Sequence, residues 1–144
     1  MDAKKLVTGT VAGTVAQVIF GYLIFEFLLG SYYAANMTQS ADLMREASLL
    51  WPMILGNLAL ALLVTLAVVK TGSESLLGGF KVAAVVGFLA WFGLHFNMYA
   101  MLTLGNLSVI IIDPFAEAVR TGITGAVIGF VLERFFKAEP VTTG

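Results

Sequence analysis

The sequence predicts an all-α integral membrane protein, a four-helix transmembrane bundle with N and C termini cytoplasmic. Three observations predict it: an extreme composition, four apolar runs of bilayer length, and a one-sided distribution of lysine and arginine. The 144 residues are 59% hydrophobic and 12% charged, with a mean hydropathy of +0.93. A soluble domain carries about 25% charge, so the lipid bilayer is the expected solvent and first partner of this chain. Cysteine is absent, which excludes disulfides, thiol catalysis and thiolate metal sites. A net charge of −1 without any dense basic cluster gives no reason to expect a nucleic-acid partner. No nucleotide or metal motif is present, so no cofactor and no metal are expected, and no catalytic residue can be named.

A hydrocarbon core of about 30 Å needs about 20 helical residues. The chain reads as one transmembrane domain over 1–144 with spans at about 6–29, 49–69, 82–104 and 114–136. The first follows Met1-Asp2-Ala3-Lys4-Lys5 and superficially resembles a secretory signal. Its apolar run is longer than the 7–15 residues of a signal h-region, so a retained anchor is expected. Residues 31–48 form the outer loop, with Asn36, Gln39, Asp42, Arg45 and Glu46. Within it, about 37–50 suits an interfacial helix that lays Leu43, Met44, Leu50 and Trp51 on the membrane surface. Between the second and third spans, Thr71-Gly72-Ser73-Glu74-Ser75 with Gly78-Gly79 predicts a turn. At the start of the fourth span, Asp113-Pro114 predicts an N-cap followed by a first-turn proline. The preceding stretch Leu107 to Ile112 is apolar and too short to span, and is expected to pack over the outer end.

Four spans put Lys4, Lys5, Lys70, Lys81, Arg134 and Lys137 on one side and leave Arg45 and Arg120 for the other. That bias places both termini in the cytoplasm of a multi-pass cell-membrane protein, of the bacterial inner-membrane kind. Tyr32, Tyr33, Trp51 and Tyr99 then mark the outer boundary, and Phe80, Phe135 and Phe136 the inner one. Helices in lipid associate through small residues that let backbones approach. Gly9 with Gly13, and Gly125 with Gly129, supply such pairs, the second extended by Ala118 and Gly122. These faces predict contact between the first and fourth spans or between subunits, which leaves room for a homo-oligomer or a larger membrane partner.

An ionised side chain at the bilayer centre costs at least about 2.5–3.5 kcal/mol on insertion scales, so such residues face a partner, water or a ligand. Counting from the cytoplasmic lysines places Glu26, Asn57, His95, Asn97, Asp113, Glu117 and Arg120 in the outer half. Gln17 falls near the midplane, where an interhelical hydrogen bond is its simplest role. The cytoplasmic half is almost wholly apolar. Asp113, Glu117, Arg120 and Thr124 share one stripe, opposite the stripe of small residues. In the third span Gly87, Trp91, His95 and Tyr99 repeat every fourth residue, while Asn97 points elsewhere. These phases predict an outward-opening ligand-binding pocket of Glu26, His95, Glu117 and Arg120, with Tyr22, Asn57, Trp91 and Tyr99 around it. The competing expectation is a structural ion pair of Arg120 with Glu26 or Glu117. His95 is the one side chain whose ordinary pKa allows proton exchange near neutral pH.

Phe20-Gly21-Tyr22 leading to Gly30-Ser31-Tyr32-Tyr33, and Asp113-Pro114-Phe115 through Gly122, Gly125 and Gly129, resemble an uncharacterised family of small bacterial four-helix membrane proteins. The resemblance covers about half the chain. The chain departs from that family in carrying tyrosines where members have a tryptophan near the end of the first helix. What the resemblance implies is topology, since the family has no known function. The functional expectation is a binding or accessory module of the membrane, for a partner subunit, for another copy or for a lipid-like ligand. The alternative is a small oligomeric transporter or channel for protons or a polar solute using Glu26 and His95. A lipid-directed enzyme with His95 as base ranks last, because no nucleophile stands at a suitable spacing.

Overall fold

The computed structural model describes residues 2–37, 49–103 and 105–136. Helix α1 (Ala3–Gly21) opens on Asp2, whose carboxylate accepts from the Lys4 amide at 2.9 Å. It continues without a break as a π-helical stretch, Tyr22–Leu28, and together they form a span of 26 residues. A short helix α2 (Gly30–Asn36) follows, then α3 (Leu50–Lys70), α4 (Leu76–Met101) and α5 (Leu107–Phe136). The long helices are each apolar and long enough to cross a membrane. Most of the interfacial helix expected over 37–50, including Leu43, Met44 and Arg45, lies outside the described residues. Leu50 and Trp51 belong to the first turn of α3.

Two boundaries differ from the sequence expectation, each for a local reason. The turn after α3 ends at Ser75, whose hydroxyl caps α4 by accepting from the Gly78 amide at 3.1 Å. Gly78 and Gly79 are therefore helical, and α4 begins about two turns earlier than expected. The fourth span begins at Leu107, because Asn106 supplies the starting acceptor, with the Val109 amide 3.3 Å from its Oδ1. Asp113 is thus an interior helical residue rather than a cap. Pro114 sits inside the helix as well, where proline removes one backbone donor and leaves the carbonyl four residues back without it.

Lys5 of α1 pairs with Glu74 of the α3–α4 turn at 2.6 Å, and Ala3, Lys4, Val7, Thr8 and Phe136 line one shallow groove. The start of α1, the end of α5 and that turn therefore lie together, at what is here called the termini end of the bundle. At the far end, α2 is fastened across the start of α5. Asn106 Nδ2 donates to Asn36 Oδ1 at 2.7 Å, Tyr32 donates to Ser108 at 3.0 Å, and Met37 and Gly105 form an isolated backbone bridge.

The tightest packing runs between α4 and α5 along every fourth residue of each helix. A methyl group added to Gly79 would fall on the Gly125 carbonyl, one added to Gly129 on the Ser75 carbonyl, and one added to Gly87 within 2.6 Å of Thr121. Only residues without a β-carbon allow two helix backbones to come this close. Gly125 and Gly129 thus pair α5 with α4 inside one chain, where the sequence suggested α1 or another subunit. The α1 glycines are used otherwise. Gly9 faces Thr65 of α3 and Gly13 faces Ile128 of α5, at 2.6 and 2.7 Å from an added methyl. Val64, Val68, Ala83, Ile128 and Leu132, all fully buried, fill the centre of the termini half. α3 contributes only that half of itself: Ala61, Val64, Thr65 and Val68 are buried, whereas 50–60 face outward or are partly covered.

Candidate functional site

The α4–α5 row that is all small residues at the termini end becomes ionisable toward the far end. Beyond Gly79, Ala83 and Gly87 on α4 come Trp91 and His95. Opposite them, beyond Gly129, Gly125 and Thr121 on α5, come Glu117 and Asp113. The polar and small stripes expected on opposite sides of the fourth span are largely successive stretches of one row wrapping around it. This places the charged side chains inside the helix interface, where they must satisfy one another.

They do so in a compact group. Arg120 Nε and Nη2 each lie 2.9 Å from Glu117 Oε2, and the two side chains are 12% and 5% exposed. The guanidinium stands over the Phe25 ring at 5.4 Å and the Trp91 ring at 5.9 Å, with Gly21 leaving space for Nη1. Arginine suits such a place because its planar cation stacks on rings while its fork holds a carboxylate. Phe25 comes from the π-helical stretch, a rare conformation that is frequent at functional sites. Asp113 is used on both oxygens. Oδ1 accepts from the Tyr33 hydroxyl of α2, and Oδ2 lies 3.3 Å from His95 Nδ1 of α4. That second contact has ion-pair distance but not hydrogen-bond alignment, so His95 Nδ1 is buried without a hydrogen-bond partner. Burial, and then the adjoining Asp113 carboxylate, push the Tyr33 hydroxyl above the usual phenol range, so it remains a donor.

One turn further along α5 the polar line meets α1. The Thr124 hydroxyl lies 2.6 Å from Gln17 Oε1 and 3.0 Å from the Arg120 carbonyl, and Gln17 is fully buried. The interhelical bond expected of Gln17 is present, while its Nε2 has no partner. An unpaired buried donor penalises the loss of its remaining partner more than the loss of the whole side chain. Thr124→Val is therefore expected to destabilise the bundle by about 1–2 kcal/mol, and Gln17→Leu by less. Unfolding of both variants in mixed micelles checks the order.

Of the residues predicted to line a pocket, the structure brings together His95, Glu117, Arg120 and Trp91. It does not bring Glu26, Tyr22, Asn57 or Tyr99 to them. Glu26 is exposed on the outer surface of the π-helical stretch, and Tyr22 and Tyr99 are 66% and 42% exposed. Asn57 bonds to the Met53 carbonyl of its own helix at 2.8 Å. Arg120 pairs with Glu117, one of the two partners foreseen for it. Sequence reasoning missed Tyr33, Phe25 and the ligating role of Asp113. The signal for Asp113 was present, since it stands four residues before Glu117 and seven before Arg120. The Pro114 beside it drew the reading toward a cap.

Phe88, Phe92 and Phe96 stack along another face of α4, with Phe115 of α5 against Phe88 at 5.0 Å. Among the described residues no group of histidines and carboxylates is arranged to hold a metal ion. No family model, curated protein or solved structure matches the chain at a significant level.

Proposed function

We infer that this is a multi-pass protein of the cell membrane, with both termini in the cytoplasm, that acts as a binding or accessory module for another membrane helix. The orientation rests on charge: Lys4, Lys5, Lys70, Lys81 and Arg134 lie in or beside the turns and helix ends of the termini half, whereas Arg120 is held inside the far half by Glu117.

The association reading rests on the unused half of α3. Around Gly56 there is open space where a methyl group would meet nothing within 4 Å. Beside it, Asn57 keeps its amide on a carbonyl of its own helix and has donor and acceptor capacity to spare. Met53, Gly56, Asn57 and Leu60 follow the i, i+3, i+4, i+7 spacing of one helix face. α4 repeats the chemistry with Gly93, also open, and Asn97, which bonds the Gly93 carbonyl at 2.7 Å. A small residue next to an amide, turned toward lipid, is the pattern with which membrane helices pair. A second copy of the chain and a larger membrane protein both supply such a helix. The transport reading has less support, because Glu26 stands apart from His95 and the apolar centre of Val64, Val68, Ala83, Ile128 and Leu132 interrupts a polar route.

A photo-crosslinking residue at Met53 tests the inference in native membranes. A protein-sized adduct is expected, and it is expected to disappear when Gly56→Leu and Asn57→Leu are added. Crosslinking to lipid alone would overturn the reading.

A further inference from the structure

We propose that the termini end of the bundle carries a site for one anionic phospholipid, with Lys4 on the phosphate, Thr8 on the ester oxygens below it and an acyl chain along the outer face of α1. Ala3, Lys4, Val7, Thr8 and Phe136 line a groove between the start of α1 and the end of α5. One wall is held in place, since Phe136 packs against the buried apolar centre.

Two polar groups of this groove have nothing to bind among the described residues. The Lys4 ammonium has no ion pair there, whereas its neighbour Lys5 is held by Glu74 at 2.6 Å. The Thr8 hydroxyl makes no hydrogen bond, whereas Thr14, Thr65 and Thr71 each return theirs to the carbonyl four residues back at 2.8 Å. Thr8 therefore keeps a donor for a ligand oxygen.

Their spacing matches the order of groups in a phospholipid. Lys4 and Thr8 share one helix face and stand about 6 Å apart along the axis, the ammonium at the helix start and the hydroxyl one turn further in. A phospholipid offers its phosphate outermost, then ester oxygens that only accept, then hydrocarbon. The same face continues with Val11 and Val18, 57% and 48% exposed. From Thr8 to Val18 is about 15 Å of helix, half of a hydrocarbon core of about 30 Å and so the reach of one acyl chain.

The sign of the headgroup follows from the charges at this end. The described residues of the termini half include Lys4, Lys5, Lys70, Lys81 and Arg134 against Asp2, Glu74 and Glu133. Of these carboxylates, Asp2 accepts from the Lys4 amide and Glu74 is paired with Lys5. A zwitterionic headgroup brings a cation of its own to Lys4, and an anionic one does not. The site is separate from the outward faces of α3 and α4, so its test involves no partner helix.

Mass spectrometry of the full-length protein released intact from detergent micelles, with phosphatidylglycerol or phosphatidylcholine added, reads the site. One phosphatidylglycerol is expected to be retained, about fivefold or more over phosphatidylcholine. Lys4→Gln is expected to remove that preference, and Thr8→Val to weaken both lipids alike. Lys70→Gln, an exposed charge outside the groove, is expected to change neither. Equal retention of the two lipids overturns the proposal, as does a K70Q loss that matches K4Q, which would mean that binding follows net charge. Competition by glycerol 3-phosphate would assign the Lys4 site to free phosphate, and retention that appears only after deletion of 138–144 would assign the groove to the chain's own continuation; either result also overturns it.

Discussion

Gly125→Leu is expected to prevent assembly of the bundle. The α4–α5 contact is the most intimate in the molecule, and at Gly125 an added β-carbon would collide with the Gly79 carbonyl and the Ala83 methyl. Overpacking a side-chain core costs about 1–3 kcal/mol because rotamers can adjust, but a helix backbone has no rotamer to change. The two helices would have to separate along several turns, which also pulls His95 from Asp113 and Trp91 from Arg120. A loss above about 3 kcal/mol is expected, read as failure to give a monodisperse species or a cooperative unfolding transition. Val15→Leu, on the exposed side of α1, is the control, and its unfolding is expected to be that of wild type. Equal effects of the two substitutions would contradict the packing described here.

Arg120→Met carries the second large effect. Methionine retains much of the side-chain length and can lie between Phe25 and Trp91, so the substitution removes charge more than volume. It leaves the buried Glu117 carboxylate without its guanidinium. Breaking a buried pair from one side costs about 3–5 kcal/mol, chiefly for the charge left behind. Equilibrium unfolding of the variant beside wild type measures the loss.

How much of this was legible in the sequence differs by level. The spans were, because hydropathy over 20 residues reports solvent directly and needs no knowledge of neighbours. Helix ends were less so: Ser75 and Asn106 are ordinary cap residues, but Gly78-Gly79 and Asp113-Pro114 are stronger local signals and pointed elsewhere. What overrode them was tertiary. Gly79 is helical because Gly125 needs it there, and Asp113 is interior because His95 and Tyr33 meet it. The His95, Glu117, Arg120 and Trp91 grouping followed from depth and phase within the third and fourth spans. Glu26 matched in depth alone. Its direction depends on how the π-helical stretch is wound, and the extra residue per turn there rotates every side chain beyond Tyr22 away from the 3.6-residue phase. Tyr33 was legible only as an interfacial aromatic, since nothing in the sequence says that α2 folds back over α5.

The central claim is that Asp113, Glu117 and Arg120, with His95 and Tyr33 beside them, pair with one another along the α4–α5 row and do not line an open pocket. A double-mutant cycle on Glu117 and Arg120 tests it most directly. The expected result is that Glu117→Gln with Arg120→Met together cost less than Arg120→Met alone, because the second change removes the charge the first one strands. Losses that simply add, with each variant as well tolerated as a solvated surface change, would mean that the two side chains do not depend on each other, and would contradict it.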